Sequence, residues 1–160
     1  MEYQKRSLNE ALQASKIEMK KLLAERLSND DPAGVGANVF LDSKIQRCSD
    51  GLDVGMTVRI ESTIANISAT ANCVLPLQEG WEIQQGVLAS FLSDDCLPTL
   101  YAQLRETIYL LNYQIGLPRL EISHQLDEQQ RTQLSKASIR GSTDPCEDIG
   151  EESQDLPGNE

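Results

Sequence analysis

The side chains that most often carry catalysis are few in this sequence, and their spacing follows no catalytic pattern. A nucleophilic triad would have to use His124, the single histidine, which stands in a polar stretch late in the chain. Acid–base pairs such as Glu121 with Asp127, or Arg105 with Glu106, arise by chance in a chain with 25 acidic residues. We therefore predict that the protein is not an enzyme.

Metal and nucleotide chemistry are equally weakly supported. The cysteines are far apart and include no CxxC pair, so a zinc site is not expected. The segment Gly34-Val35-Gly36 is followed by neither a Lys-Ser/Thr pair nor a helical pattern, and it is typical of a plain loop. We expect no cofactor and no use of ATP. The four cysteines are Cys48, Cys73, Cys96 and Cys146.

The charge is concentrated at the C-terminus. The chain carries a net charge of −11, and seven acidic residues follow Gly141 without a single Lys or Arg, so residues 1–140 carry only −4. This distribution predicts a folded domain over 1–140 and a disordered acidic tail over 141–160. An acidic surface repels phosphate backbones, so we expect no nucleic-acid partner and favour proteins instead.

The sequence contains neither a signal-peptide pattern nor a run of eighteen apolar residues. We therefore expect a cytoplasmic protein with reduced thiols and no insertion into membranes.

Hydrophobic periodicity predicts an antiparallel sheet followed by helices. Alternation of apolar and polar residues indicates strands over 38–48, 56–64 and 69–77. Local propensity alone favours a helix over 8–27. Apolar residues at helical spacing predict a helix from Ile83 to Leu92, broken at 93–95, and a polar helix over 127–138.

The helix expected over 98–115 has two apolar stripes. The first stripe can cover the sheet, whereas the second indicates a subunit interface, with burial of both stripes in one core as the alternative. The residues of the second stripe are Tyr101, Tyr109, Leu110 and Tyr113.

Two stretches resemble SecB-type protein-export chaperones and their relatives in toxin–antitoxin systems. The first is "LYAQLRETIYLLNYQIGLPRLEI", with Tyr101, Arg105-Glu106 and the segment 117–122 at the family's motif positions. The second is "MTVRIESTIANISATANCVLPLQEG", which matches the family's third and fourth strands. The resemblance implies an α+β fold in which a four-stranded antiparallel sheet packs on a long helix, with a shorter helix after it. It also implies a strand in the N-terminal segment, and together with the local helix propensity this predicts a short helix around 7–15 and a strand beginning near Lys16.

The resemblance further implies function. Proteins of this family are ATP-independent holdases that assemble as dimers or tetramers and hold unfolded clients in apolar grooves, for export or to protect an antitoxin. Docking to the SecA motor is doubtful here, because Pro76 stands where the family has a carboxylate. The alternative is a dedicated interaction or assembly module with the same fold. Candidate client-binding residues, each of which could instead be ordinary core, are Phe40, Trp81, Ile83, Val87, Leu88, Phe91 and Leu92.

Overall fold

The computed structural model describes residues 2–32, 35–78, 80–117, 122–136 and 140–141, the last two as backbone only. The predicted acidic tail beyond Gly141 and the family motif's residues 118–121 lie outside this description. The elements in chain order are α1 (Glu2–Ala14), β1 (Ile17–Arg26), β2 (Asn38–Arg47), β3 (Gly51–Glu61), β4 (Ala65–Pro76), α2 (Gln85–Phe91), a π-helical segment (Leu92–Cys96), α3 (Leu97–Gln114), α4 (Glu128–Ser135) and β5 (Arg140–Gly141).

The sheet has the strand order β1-β4-β3-β2-β5. The first four strands pair antiparallel, and α3 and α4 pack on the sheet, so the predicted α+β fold class is confirmed. The two-residue strand β5, which sequence periodicity did not reveal, pairs parallel with the end of β2. A tight turn joins β2 to β3, where the Cys48 amide donates to the Gly51 carbonyl at 2.9 Å.

The core lies between the helices and one face of the sheet. Cross-strand pairs of β3 and β4, such as Met56 opposite Ala71 and Val58 opposite Ala69, point towards α3 and are at most 1% exposed. Alanines on β4 let the helix approach closely, and α3 fills the space with larger side chains. The residues that α3 buries are Leu97, Leu100, Tyr101, Leu104, Ile108 and Asn112.

The prediction of one helix over 8–27 from local propensity was wrong. The helix ends at Ala14, and Ile17–Arg26 forms the strand that the family resemblance predicted, although the helix is longer than 7–15 because it begins at Glu2. Pairing with β4 satisfies the backbone of β1, and tertiary context of this kind overrides a weak local preference. Leu8 packs α1 against the core, and its side chain is completely buried.

The expected break at 93–95 is absent, and this prediction was wrong. The chain continues through the π-helical segment directly into α3. Pro98 cannot donate a backbone hydrogen bond and its ring crowds the carbonyl four residues earlier, and a widened π turn accommodates both effects. The two aspartates of the π-helical segment form ion pairs with α1, because Nζ of Lys5 lies 3.1 Å from a carboxylate oxygen of Asp94 and 3.7 Å from one of Asp95.

The cysteines are not all alike, contrary to the expectation of four reduced thiols. Cys73 on β4 and Cys96 on the π-helical segment are free and buried. A hydrogen bond between the two sulfurs lowers the pKa of Cys73 and raises that of Cys96. Cys48, at the end of β2, is disulfide-bonded.

Candidate functional site

A cavity of about 410 Å³ opens beside the linker between β4 and α2. Arg47 and Leu52 form its base, since they are cross-strand partners at the end of β2 and the start of β3. Trp81 and Ile83 project from the linker, and both are partly buried against the core. The complete lining is Arg47, Leu52, Trp81, Glu82, Ile83, Gln85 and Leu88.

Hydrogen bonds from two elements fix the linker that carries the aromatic wall. Nη2 of Arg47 donates to the Trp81 carbonyl at 2.8 Å. Gln4 on α1 donates to the Glu82 carbonyl at 3.2 Å and accepts from the Gln84 amide at 3.4 Å. The linker turns at Gly80, whose φ of 75° favours glycine. The wall of the cavity is thus held in place before any ligand arrives.

The polar chemistry of this cavity comes mainly from Arg47. Its Nη1 atom is buried and makes no hydrogen bond within the described ranges. A buried guanidinium nitrogen without an acceptor is costly, and because this atom has almost no accessible surface, a ligand oxygen would reach it only after the Arg47 side chain moved. The apolar part of the lining can take an apolar side chain.

The structure divides the predicted client-binding residues into three groups. Trp81, Ile83 and Leu88 line the cavity together. Val87, Phe91 and Leu92 are at most 6% exposed and belong to the hydrophobic core, which is the alternative that the sequence left open. The client-binding role of the whole set stays a prediction, but the side chains of Val87, Phe91 and Leu92 face the core.

Phe40 lies elsewhere. It is 43% exposed, and the Arg59 guanidinium sits 4.8 Å from the centre of its ring. Its cross-strand partner Arg59 alternates with the buried residues Val58 and Ile60, so Phe40 faces the outer side of the sheet, away from the helices. The structure does not bring Phe40 together with Trp81.

The predicted interface residues on α3 also separate. Tyr101 is 4% exposed, and its hydroxyl donates to the Ser123 carbonyl at 2.6 Å. Burial raises the pKa of this phenol. Tyr109 is partly buried beneath the Arg105 guanidinium, which lies 5.1 Å from its ring centre. Only Leu110 and Tyr113 of the four are largely exposed, at 65% and 83%.

A second cavity, of about 450 Å³, contains the single histidine. His124 shares it with Arg105 and Arg131, whose buried Nε atoms both lack a hydrogen-bond partner in the described segments. Among the described lining residues there is no serine or cysteine.

Sequence reasoning missed Arg47 and Leu52. The signal was available, because Arg47 stands two positions after Ile45 and therefore points to the same face of β2. A charged residue at an inward-facing strand position indicates a buried polar site. The sequence pattern did not show that the linker between β4 and α2 closes over Arg47.

Among solved structures, the chain is similar to the SecB-like chaperone Rv1957 of Mycobacterium tuberculosis, determined in complex with a ChAD peptide from the Rv1956 HigA1 antitoxin. The sequences are 16% identical, the alignment covers 76% of this chain and 95% of that chain, and the TM-score is 0.50. The likeness establishes a SecB-like fold. No family model and no curated protein sequence matches the chain.

No described helix is both long and apolar enough to span a membrane. Over the described ranges, no group of three or more His, Cys, Asp or Glu side chains could hold a metal ion.

Proposed function

We propose that this protein binds extended, apolar segments of unfolded polypeptides without nucleotide and thereby acts as a holdase. The observation that carries the proposal is the cavity beside the linker, where Trp81 and Ile83 stand over an apolar floor formed by Leu52 and Leu88. When a client side chain enters the cavity, its apolar surface is removed from water. This burial contributes roughly 1.5–3 kcal/mol to the binding free energy for a residue such as Leu or Phe.

The balance of forces in such a site suits a chaperone. Hydrophobic burial is non-directional and selects for size rather than sequence, so many clients can use the same cavity. Arg47 also lines the cavity, and its positive charge can attract a client backbone carbonyl, which every polypeptide possesses. Both features favour binding of unfolded chains over recognition of one folded surface.

The similar fold of Rv1957, which was solved with an antitoxin peptide, supports peptide binding as the activity. We propose a cytoplasmic, non-enzymatic role in protein export or in protection of a labile antitoxin. The SecA motor remains a doubtful partner, because Pro76, which ends β4, supplies no carboxylate.

A dedicated interaction module is the second candidate, and the polar lining of the cavity favours it. The polar groups of one particular partner could form hydrogen bonds or ion pairs with Arg47, Glu82 and Gln85. A pull-down from a cell extract, followed by mass spectrometry, separates the two: many weakly bound chains indicate a holdase, and a single strongly bound partner indicates the module.

Replacing Trp81 by Ala tests the site directly. We expect about 10–30-fold weaker binding of a fluorescent 20-residue peptide rich in Leu, Phe and Lys, because truncation of an interfacial Trp costs about 2 kcal/mol. Fluorescence anisotropy measures the effect. Tyr3→Ala is the matched control, since Tyr3 is 78% exposed on α1 and does not line the cavity.

The holdase activity needs its own assay. The wild-type protein should suppress light scattering from a chemically unfolded, cysteine-free client at a stoichiometric ratio without ATP, and Trp81→Ala should suppress it less. Unchanged scattering in the presence of the wild type would rule out the proposed function.

A further inference from the structure

The second cavity is lined by one face of α3 and by the segment that leads into α4. Pro98, Tyr101 and Arg105 recur at intervals of three and four residues, so they lie on the same face of α3. Leu126, from the segment before α4, adds a further apolar side chain and is only 7% exposed. The volume of about 450 Å³ is that of a site for a small molecule.

Hydrogen bonds hold the two walls of this cavity in place. The Tyr101 hydroxyl, which donates to the Ser123 carbonyl, ties the segment before α4 to α3. Asp127 caps α4, because its Oδ1 atom accepts from the Gln130 amide at 2.7 Å and its own amide donates to Oε1 of Gln130 at 3.0 Å. Arg131 lies in the first turns after this cap, so its position relative to α3 is fixed before a ligand enters.

The charge of the lining is positive, although the chain as a whole is acidic. Arg105 and Arg131 take part in none of the ion pairs between described residues. Asp94 is the one carboxylate among the described lining residues, and Lys5 offsets its charge at 3.1 Å. The cavity therefore brings together two guanidinium charges that repel each other and have no carboxylate of their own.

The two guanidinium groups can attract an anion without contact to their Nε atoms. Both Nε atoms are buried, and neither has a hydrogen-bond partner in the described part of the chain, so a ligand cannot reach them directly. The positive charge is delocalised over the whole guanidinium group, however, and both side chains are partly exposed where they line the cavity. Arg105 is also held over the Tyr109 ring, which limits its freedom to turn away.

We propose that the second cavity binds a small organic carboxylate whose charged end lies at Arg105 and Arg131. A carboxylate matches the planar guanidinium group, and its charge offsets the repulsion between the two arginines. The apolar body of the ligand contacts Tyr101 and Leu126. Inorganic phosphate would leave these apolar side chains uncovered, and Asp94 would repel its second negative charge.

This site is separate from the client-binding site proposed above. The second cavity shares no lining residue with the cavity beside the linker, so the inference does not rest on the holdase function.

A matched pair of probes tests the preference for a carboxylate. N-acetylphenylalanine and its amide have the same apolar body, and only the acid carries a negative charge at neutral pH. We expect the acid to bind the full-length protein about tenfold more tightly than the amide, because charge-assisted hydrogen bonds are stronger than neutral ones. Heteronuclear NMR titration measures both affinities. Equal affinity of acid and amide, or no binding of the acid at about 10 mM, would overturn the proposal.

The same NMR spectra locate the ligand. The acid should shift the amide signals of Ala102 and Gln125, which line the second cavity, and leave those of Leu52 and Ile83 in place. Larger shifts at Leu52 and Ile83 would assign the ligand to the cavity beside the linker and contradict the site proposed here. Sodium phosphate should displace the acid no better than sodium chloride of equal ionic strength, and stronger displacement would mean that the cavity takes a bare oxyanion.

Substitution of the arginines tests their role. Arg131→Gln and Arg105→Gln should each weaken binding of the acid about tenfold and leave binding of the amide unchanged. Arg59→Gln is the matched control, because the Arg59 guanidinium also lies over an aromatic ring, that of Phe40, but on the outer side of the sheet. Circular dichroism shows whether each variant is folded. Wild-type affinity for the acid in both cavity variants would refute the assignment, whatever the outcome of the holdase assay.

Discussion

Asp53 shows how one residue's surroundings change its chemistry. It lies on the outer face of β3, and burial raises the pKa of its carboxyl group, against the hydrogen bond from Asn72 and the charges of Lys44 and Lys20. Its Oδ1 atom is buried and has no hydrogen-bond partner in the described part of the chain. The ionised form is therefore less stable in the folded protein than in the unfolded one.

Asp53→Asn should stabilise the protein at pH 8. A raised pKa in the folded state means that the wild type loses stability as the pH rises from the unfolded-state pKa through the folded-state pKa, and asparagine does not titrate. We expect a gain of about 2–4 °C in the melting temperature, which corresponds to about 1 kcal/mol for a chain of this size. The gain should shrink at about pH 4, close to the ordinary pKa of an aspartate carboxyl group.

Circular dichroism melts at the two pH values provide the measurement. Asp42→Asn is the control, because Asp42 is exposed on the same face of the neighbouring strand and its replacement should change little. Lower stability of Asp53→Asn at pH 8 would mean that the carboxylate is a net stabilising group.

The side chain of Asn72 on β4 lies directly over Gly55 on β3. A Cβ atom added there would lie 2.8 Å from Oδ1 of Asn72, a side chain that is only 9% exposed and is hydrogen-bonded to Asp53. The glycine is needed because it leaves room for the Asn72 side chain, not for its backbone freedom.

Gly55→Ala should therefore destabilise the fold by about 1–2 kcal/mol, because Asn72 has to move and lose its hydrogen bond. Urea denaturation followed by tryptophan fluorescence measures the change. Gly86→Ala in α2 is the matched control: a Cβ there meets nothing within 4 Å, and alanine favours a helix, so it should be neutral or stabilise by up to about 1 kcal/mol. Equal destabilisation by both variants would contradict the close-contact explanation.

At the scale of the whole molecule, exposed apolar side chains lie on two elements, α3 and β1. Leu110 and Tyr113 lie three positions apart on the outer side of α3, on one stripe with the exposed residues Gln103 and Glu106. Strand β1 is at the edge of the sheet and exposes Leu22 and Leu23. Apolar side chains and an open strand edge both favour association with another chain.

Leu110→Glu should reduce the mass of the assembly in solution. We expect the wild type to be a dimer or tetramer, and the variant to shift towards the 17.7 kDa monomer, because the interface would bury an unpaired charge. Light scattering coupled to size exclusion measures the mass. Gln103→Glu adds the same charge to the polar end of the stripe and should keep the wild-type mass. A monomeric wild type would remove the interface altogether.

The sequence determined the elements whose local pattern repeats along the chain. Alternating apolar residues indicated β2, β3 and β4, and helical spacing indicated α3, because each pattern fixes which side chains share a face. The bounds of β3 were wrong, since it runs over Gly51–Glu61 and not over 56–64. The acidic, aliphatic-poor composition after Gly141 likewise defined the predicted tail without reference to any contact.

Only the tertiary structure decided which apolar residues meet. Ile17–Arg26 forms a strand because it hydrogen-bonds to the free edge of β4. Phe91 lies in the core and Trp81 forms a wall of the cavity because α2 and the linker before it fold back onto the sheet. Arg47 and β5 meet across more than ninety residues of sequence, and no local pattern encodes that distance. Local periodicity reports the face on which a side chain lies, whereas the partner on that face depends on how the whole chain packs.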